Sequence, residues 1–118
     1  MKKTDLIAAA GALPEAWRSS VVGVAAGANV KVLRMDAAPY PAESHAFAEG
    51  LLVLEGRMHL EIRGEIVSVG AGEILIVPAG EPHAVAAGSH GTLVILDPPG
   101  CVSPAAASAL RAAESGAG

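Results

Sequence analysis

The sequence has little of several residue types, and each shortage excludes a class of protein. The single cysteine, Cys101, in 118 residues rules out an internal disulfide and fits a reducing, cytoplasmic setting. Twelve acidic residues against eight basic ones give a net charge of −4, so nucleic acid is not expected as a partner. No apolar run approaches the length of a membrane span, so no membrane association is expected either.

The first residues of the chain carry two lysines and an alanine-rich run, which gives them a faint similarity to a signal peptide. Asp5 interrupts that run, and alanine supplies little hydrophobic driving force. We therefore expect residues 1–19 to form a helical segment on the surface. Thr4 is the predicted N-cap, and Pro14 suits the first turn of a second short helix.

Residues 20–100 carry almost only strand and turn signals. Short apolar or alternating stretches follow one another at close spacing, separated by glycine-containing turns. In one of them Met58, Leu60 and Ile62 share a face, which predicts a half-buried strand. The pattern favours a β-sandwich or a small barrel. Residues 101–118 are predicted to form a C-terminal helix and tail.

Side chains that can bind a metal occur in two separate segments. Glu43, His45 and Glu49 all occupy odd-numbered positions. Because every second residue of an extended strand points the same way, these three side chains would share a face. His83 follows a Pro-x-Gly corner at the end of an apolar strand. If the sheet closes into a barrel, these groups converge in an apolar interior, where a divalent cation would compensate their charge and hydrogen-bonding demand.

The composition of this set bears on the choice of metal. Two histidines and one carboxylate are typical of iron(II) sites that keep open positions, and a second carboxylate favours harder ions such as manganese. The set as a whole admits iron, manganese, zinc or nickel.

Each of these residues also has a plainer interpretation. His83 could be a hydrogen-bonded turn histidine, and His45 and Glu49 could lie in a solvated loop. Glu43 could bind the metal directly, or it could orient His45 instead. The sequence leaves these alternatives open.

The other two histidines and the three aromatic residues are expected to have simpler roles. His59 is expected on the solvent face of its strand, and His90 in a turn. Trp17 is expected to pack a terminal helix on the barrel, and Tyr40 and Phe47 could line the mouth of a pocket. With only three aromatic residues, the chain is not expected to build a large stacking site.

The segment around His83 resembles the second of the two motifs of the cupin superfamily. That motif is a glycine, five residues, Pro-x-Gly, two residues and a histidine. Here Gly72 is followed after five residues by Pro78-Ala-Gly80 and, after two more, by His83. The family often places an asparagine four residues later, where this chain has Ala87.

The earlier segment resembles the first cupin motif, which reads His-x-His, three or four residues, Glu, six residues, Gly. This chain has Glu43-Ser-His45, three residues, Glu49, six residues and Gly56. The second histidine, the glutamate and the glycine are kept, while Glu43 replaces the first histidine. The spacer from Gly56 to Gly72 is 15 residues, as in compact single-domain cupins.

The resemblance implies an all-β fold, the cupin-type double-stranded β-helix or jelly-roll barrel, with short helices at both ends. The barrel would occupy residues 20–100. It also implies that His45, Glu49 and His83 bind a divalent metal ion, and it leaves Glu43 in doubt as a fourth ligand. Cupins are commonly dimeric, so a homodimer is expected.

Function is less constrained than fold, because cupins share a fold far more than an activity. One hypothesis is a small metal-dependent enzyme, similar to a dioxygenase or an isomerase, acting on a small oxygen-rich substrate. A second is a non-catalytic module that binds or senses a small molecule. A third is a subunit whose role is assembly.

Overall fold

The computed structural model describes residues 1–100. One short helix precedes eight strands. In chain order the elements are α1 (Leu6–Gly11), β1 (Ser20–Ala25), β2 (Ala28–Asp36), β3 (Tyr40–Glu43), β4 (Glu49–Ile62), β5 (Glu65–Gly70), β6 (Ile74–Val77), β7 (His83–Val85) and β8 (His90–Asp97). The C-terminal helix predicted for residues 101–118 lies outside the described residues. Within residues 1–100, the single helix has six residues and is too short to be a membrane span.

The strands form one curled, entirely antiparallel sheet around a common interior. The order β1-β2-β8-β4-β7-β3 makes up its main path, and β5 and β6 pair with β4. The 14-residue strand β4 pairs with four others along its length, so it belongs to both layers of the barrel. This arrangement confirms the predicted all-β jelly-roll fold.

Two glycines allow β4 and β8 to approach closely where β4 changes layers. Gly56 has a φ of 82° and Gly91 a φ of 102°, and they lie opposite each other. A Cβ on Gly56 would lie 2.0 Å from the carbonyl oxygen of His90, and one on Gly91 would lie 2.0 Å from that of Glu55. Only glycine fits either position, which explains why the first motif ends on Gly56.

The interior is filled from alternate positions of the strands. Met58 and Leu60 are fully buried and Ile62 packs beside them, as the alternating pattern predicted. The opposite face of the sheet carries α1, where Ala10 packs on Val32 and Val94. The inner cluster comprises Leu33, Met35, Leu51, Val53, Met58, Leu60, Val69, Val77 and Leu93.

The N-terminal segment differs from its prediction. Asp5, and not Thr4, is the N-cap, since its carboxylate accepts a hydrogen bond from the backbone N–H of Ala8 at 3.0 Å. The helix ends at Gly11, and the second helix predicted from Pro14 is absent. A turn replaces it, because Trp17 has a φ of 66° and donates its backbone N–H to the carbonyl of Arg34.

Candidate metal centre

Strand pairing brings the two metal-binding segments together. Glu43 is the last residue of β3 and His83 the first of β7, and these two residues are partners in the β3–β7 register. Glu49 begins β4, and His45 lies in the connection that leads to it. The backbone N–H of Gly80 donates to the carbonyl of His45 at 2.6 Å, which ties the Pro-x-Gly corner to the first segment.

The four side chains converge on one point. His83 Nε2 lies 3.3 Å from Glu49 Oε1 and 3.9 Å from Glu43 Oε1. His45 Nε2 lies 3.4 Å from Glu43 Oε1 and 3.5 Å from Glu49 Oε2. One ligand atom from each residue lies within 4.8 Å of all the others, so the group could hold a metal ion. Glu43, which the sequence left ambiguous, belongs to this set geometrically.

The converging atoms do not satisfy one another. Within residues 1–100, Glu43 Oε2, His45 Nε2 and His83 Nε2 are buried without a directed hydrogen-bond partner, although carboxylate oxygens approach both rings. The other nitrogen of His83, Nδ1, lies 3.0 Å from the carbonyl oxygen of Glu81. A carbonyl only accepts, so Nδ1 carries a proton, and in the neutral ring Nε2 presents its lone pair to the centre.

These spacings match those expected around a single ion. Two ligands at about 2.1 Å from one ion are about 3.0 Å apart at a right angle and about 3.4 Å apart at a tetrahedral angle. The observed contacts of 3.3 to 3.9 Å are close to that range. They are too long for good hydrogen bonds. The donor set of two imidazoles and two carboxylates therefore fits a divalent cation in both spacing and charge.

The electrostatics of the metal-free centre are unfavourable. Burial raises the pKa of Glu43, the nearby His45 opposes that shift, and the second carboxylate, Glu49, adds to it. The neighbouring Glu49 carboxylate raises the pKa of His83 against the opposing effect of burial. A divalent cation would reverse both tendencies, since it favours ionised carboxylates and neutral imidazoles.

A small cavity, with a water-accessible volume of about 60 Å³, adjoins the centre. Its lining includes the only tryptophan, tyrosine and phenylalanine of the chain: Trp17, Tyr40 and Phe47. Phe47 stacks on His45 with ring centroids 4.9 Å apart, and Trp17 lies 5.7 Å from Tyr40. Tyr40 and Phe47 line the cavity, as the sequence analysis expected of them. Trp17 instead packs against the inner cluster.

The other histidines lie away from the centre. His59 is partly exposed and its Nδ1 contacts the hydroxyl of Ser68 at 2.8 Å, while His90 is exposed with Nδ1 near the carbonyl oxygen of Gly88. The cavity also contains a buried pair that sequence reasoning missed, Lys31 and Asp97. The one available signal was a lysine at an inward position of the alternating segment that contains Val30 and Val32.

Comparison with known proteins identifies the family of this chain. The family model for the cupin domain matches residues 33–99, more than half of the chain. This chain belongs to the cupin family. No curated protein matches its sequence.

Solved structures agree with this cupin assignment. A cupin-2 domain protein from Shewanella frigidimarina is 21% identical, with a TM-score of 0.69 over 75% of this chain and 86% of that one. A Neisseria meningitidis protein is 19% identical, with a TM-score of 0.71 over 82% and 99%. A hydroquinone 1,2-dioxygenase solved with Cd²⁺ and 4-hydroxybenzonitrile is 19% identical, with a TM-score of 0.71 over 84% and 74%. At these identities, the likeness concerns the fold alone.

Proposed function

We propose that this cupin binds a divalent metal ion through Glu43, His45, Glu49 and His83 and acts as a small metal-dependent enzyme. The observation that carries the proposal is the convergence of ligand atoms from four residues, together with three buried side-chain atoms there that have no directed partner among residues 1–100. Burying such groups unpaired costs about 1–3 kcal/mol each, so an external ligand for them is expected.

The reaction class follows from the chemistry of the donor set. A divalent ion held by two imidazoles and one or two carboxylates, with positions left open, supplies Lewis-acid polarisation of a substrate oxygen. A dioxygenase- or isomerase-like reaction on a small, oxygen-rich substrate is consistent with that. The hydroquinone dioxygenase among the structural neighbours makes phenols reasonable first candidates.

The chain's own residues have definite roles in this proposal. Glu43 Oε2 is buried beside the centre, where this carboxylate would bind the metal or accept a proton from a substrate. Phe47 fixes the His45 ring by stacking on it. Trp17 and Tyr40 wall the cavity and restrict access of water.

One observation supports a second candidate, a non-catalytic module that binds or senses a small molecule. Glu43 occupies the position where the cupin motif has its first histidine. This exchange alters the ligand field and could favour binding without turnover.

Metal analysis tests the first proposal directly. Protein purified without a histidine tag should contain about one equivalent of a divalent metal or take one up. His83→Ala should weaken metal affinity at least about 100-fold. His59→Ala, which removes a histidine away from the centre, should leave it unchanged. Full metal occupancy in the His83 variant would reject the site.

Oxygen consumption separates enzyme from binding module. Iron-loaded protein should consume oxygen with a hydroquinone or a β-diketone, and the His83→Ala variant should not. Tight binding of such a compound to iron-loaded protein without oxygen uptake or product would favour the binding module.

The expected homodimer remains a prediction. Strand β1 is at the end of the sheet path, and Val21 and Val24 on it are more than half exposed. Light scattering after size-exclusion chromatography gives the mass directly.

A further inference from the structure

An ion pair outside the cavity adjoins the hydrogen bond that orients His83. Glu81 offers its backbone carbonyl to His83 Nδ1 at 3.0 Å, and its carboxylate accepts two hydrogen bonds from Arg63. Arg63 Nε lies 2.6 Å from Oε1 and Nη2 lies 3.3 Å from Oε2, so the guanidinium holds the carboxylate through two of its nitrogens. We call Arg63 and Glu81 the corner clamp, because Glu81 directly follows the Pro-x-Gly corner.

The clamped corner contacts both histidines of the metal centre. Gly80 donates its backbone N–H to the carbonyl of His45 at 2.6 Å, and the carbonyl of Glu81 accepts from the ring of His83. The centroids of the two rings are 5.6 Å apart. A displacement of this corner would therefore move the backbone of one histidine and release the ring of the other at the same time.

Arg63 anchors the corner to a rigid part of the sheet. It begins the two-residue turn between β4 and β5, where Arg63 and Gly64 have φ angles of 53° and 75°. Positive φ at both positions is typical of a type I′ hairpin turn. Ile62, which precedes the turn, pairs with His83 across β4 and β7. The clamp therefore closes a short circuit of contacts, because the hairpin that carries Arg63 is itself paired with the strand that carries His83.

Stability alone does not account for an arginine at position 63. A left-handed backbone is unfavourable for a residue with a long side chain, and asparagine, aspartate or glycine is preferred at this place in such a turn. The Arg63 side chain is 74% exposed, and an exposed ion pair contributes little to stability. A planar guanidinium does fix a carboxylate in direction as well as in distance. The pair is therefore better explained by positioning than by stability.

We propose that Arg63 and Glu81 are positioning residues for the metal centre. By holding the Glu81 side chain, Arg63 keeps the adjacent carbonyl directed at His83 Nδ1, so that the proton stays on that nitrogen and Nε2 faces the other ligands. Outer partners of this kind orient imidazole ligands in metal sites. The expected gain in metal affinity rests on the proposed metal function, whereas the orientation of the ring does not.

Metal affinity tests the clamp through the sign of its effect. Arg63→Met and Glu81→Met each break the pair, so each should weaken zinc binding about three- to tenfold, less than the loss of a ligand. The double variant should lose no more than either single variant, because the two residues act as a unit. Charge alone predicts a different pattern. Removing the arginine cation would strengthen the binding of a dication, removing the glutamate would weaken it, and the two effects would cancel in the double variant.

Controls separate positioning from damage to the fold. Arg57→Met removes the same charge from an exposed position of β4, six residues before Arg63, and should leave zinc affinity unchanged. The reversed pair Arg63→Glu/Glu81→Arg restores an ion pair between the two positions and should recover most of the lost affinity. Urea denaturation should give midpoints close to that of wild type for all of these variants.

A second readout needs no metal. At a pH where the ring is neutral, nitrogen-15 NMR of metal-free protein should find the His83 proton on Nδ1 in wild type and shared between both nitrogens in Arg63→Met and Glu81→Met. An unchanged tautomer in both variants overturns the inference, as does zinc binding that Arg63→Met leaves unchanged or strengthens. If wild-type protein binds no metal but the tautomer shifts in the variants, the metal function fails and the positioning role stands.

Discussion

The metal centre and a second buried cluster differ in how their polar atoms are satisfied. The second cluster, which we call the lysine cluster, consists of Lys31, Asp97 and Asn29, and its first two members line the same cavity as the centre. In the centre, Glu43, His45 and His83 each have a buried atom with no hydrogen-bond partner among the residues that the structure describes, 1–100. In the cluster, Lys31 and Asp97 meet at 2.6 Å. The first arrangement is incomplete without a ligand, whereas the second is complete within the protein. Substitutions in the two regions should therefore change the stability of the metal-free protein in opposite directions.

The largest expected effect comes from breaking the lysine cluster. Lys31→Met leaves Asp97 charged and buried without its cation, which should lower the free energy of unfolding by about 3–5 kcal/mol. Adding Asp97→Leu should restore most of that loss. Urea denaturation of the metal-free protein measures both changes.

An exposed pair in the same chain provides the control for Lys31→Met. Arg63 and Glu81 meet at 2.6 Å, but the Arg63 side chain is 74% exposed. Arg63→Met should change the free energy of unfolding by less than about 1 kcal/mol. A loss of similar size in both variants would show that burial does not distinguish the two pairs.

The opposite sign is expected in the metal centre. Glu43→Leu removes a half-buried carboxylate whose Oε2 is buried and unpaired within residues 1–100, so the metal-free protein should gain about 1–3 kcal/mol in free energy of unfolding. The same change should weaken metal binding. Glu61→Leu, at an exposed position of β4, is the matched control and should do neither. A destabilised Glu43→Leu protein would mean that the centre is satisfied without a metal.

The sequence predicted the metal centre more completely than the lysine cluster, for a physical reason. A Pro-x-Gly corner and a glycine at the close approach of β4 to β8 restrict the backbone locally, so the spacing around Gly56 and His83 carries geometric information. Glu43 and His83 also meet only through strand pairing, and it was the resemblance to the two cupin motifs that assigned them to one site. The approach of Lys31 to Asp97 depends on β2 and β8, which are 66 residues apart in sequence at that contact, and no local pattern reports it.

In the N-terminal segment, the local sequence pattern gave a wrong prediction, because tertiary contacts decide the structure there. Its composition favours helix as far as residue 18, yet the helix ends at Gly11. Trp17 takes up a left-handed backbone conformation, and its indole donates to Asp36 at 2.6 Å. Arg34 reaches across to the carbonyl of Leu13 at 2.7 Å. These tertiary contacts override local propensity, so the gathering of all three aromatics around the cavity could not be predicted from their number.

A smaller effect is expected from restoring the cupin motif. Glu43→His replaces a hard carboxylate oxygen by an imidazole nitrogen, so zinc or nickel should gain about tenfold in affinity relative to manganese. Competition titrations on metal-free protein measure the ratio. Glu61→His adds an imidazole at an exposed position and should leave it unchanged. An unaltered ratio in the Glu43 variant would indicate that this residue orients His45 without contacting the metal.

The smallest effect, a dependence on pH, tests whether the centre needs its ion. The pKa of His83 is raised above its ordinary value of 6.5 and that of Glu43 above 4.5, so the folded metal-free protein binds more protons than the unfolded chain. The stabilisation from each shift is complete below the ordinary pKa and is lost as pH rises through the raised one. The metal-free protein should therefore become less stable between about pH 5 and pH 8.

Metal should reverse that slope. Its ligands must be deprotonated, so affinity rises with pH, and an ion that binds only the folded chain adds stability in proportion. Urea denaturation at pH 5 and pH 8, with chelator and with zinc, gives the four free energies of unfolding needed. In the presence of chelator, the Glu43→Leu variant should show a smaller change in that free energy between the two pH values than the wild-type protein. Parallel slopes with and without zinc would mean that the ion binds elsewhere, because only an ion among these groups opposes their protonation.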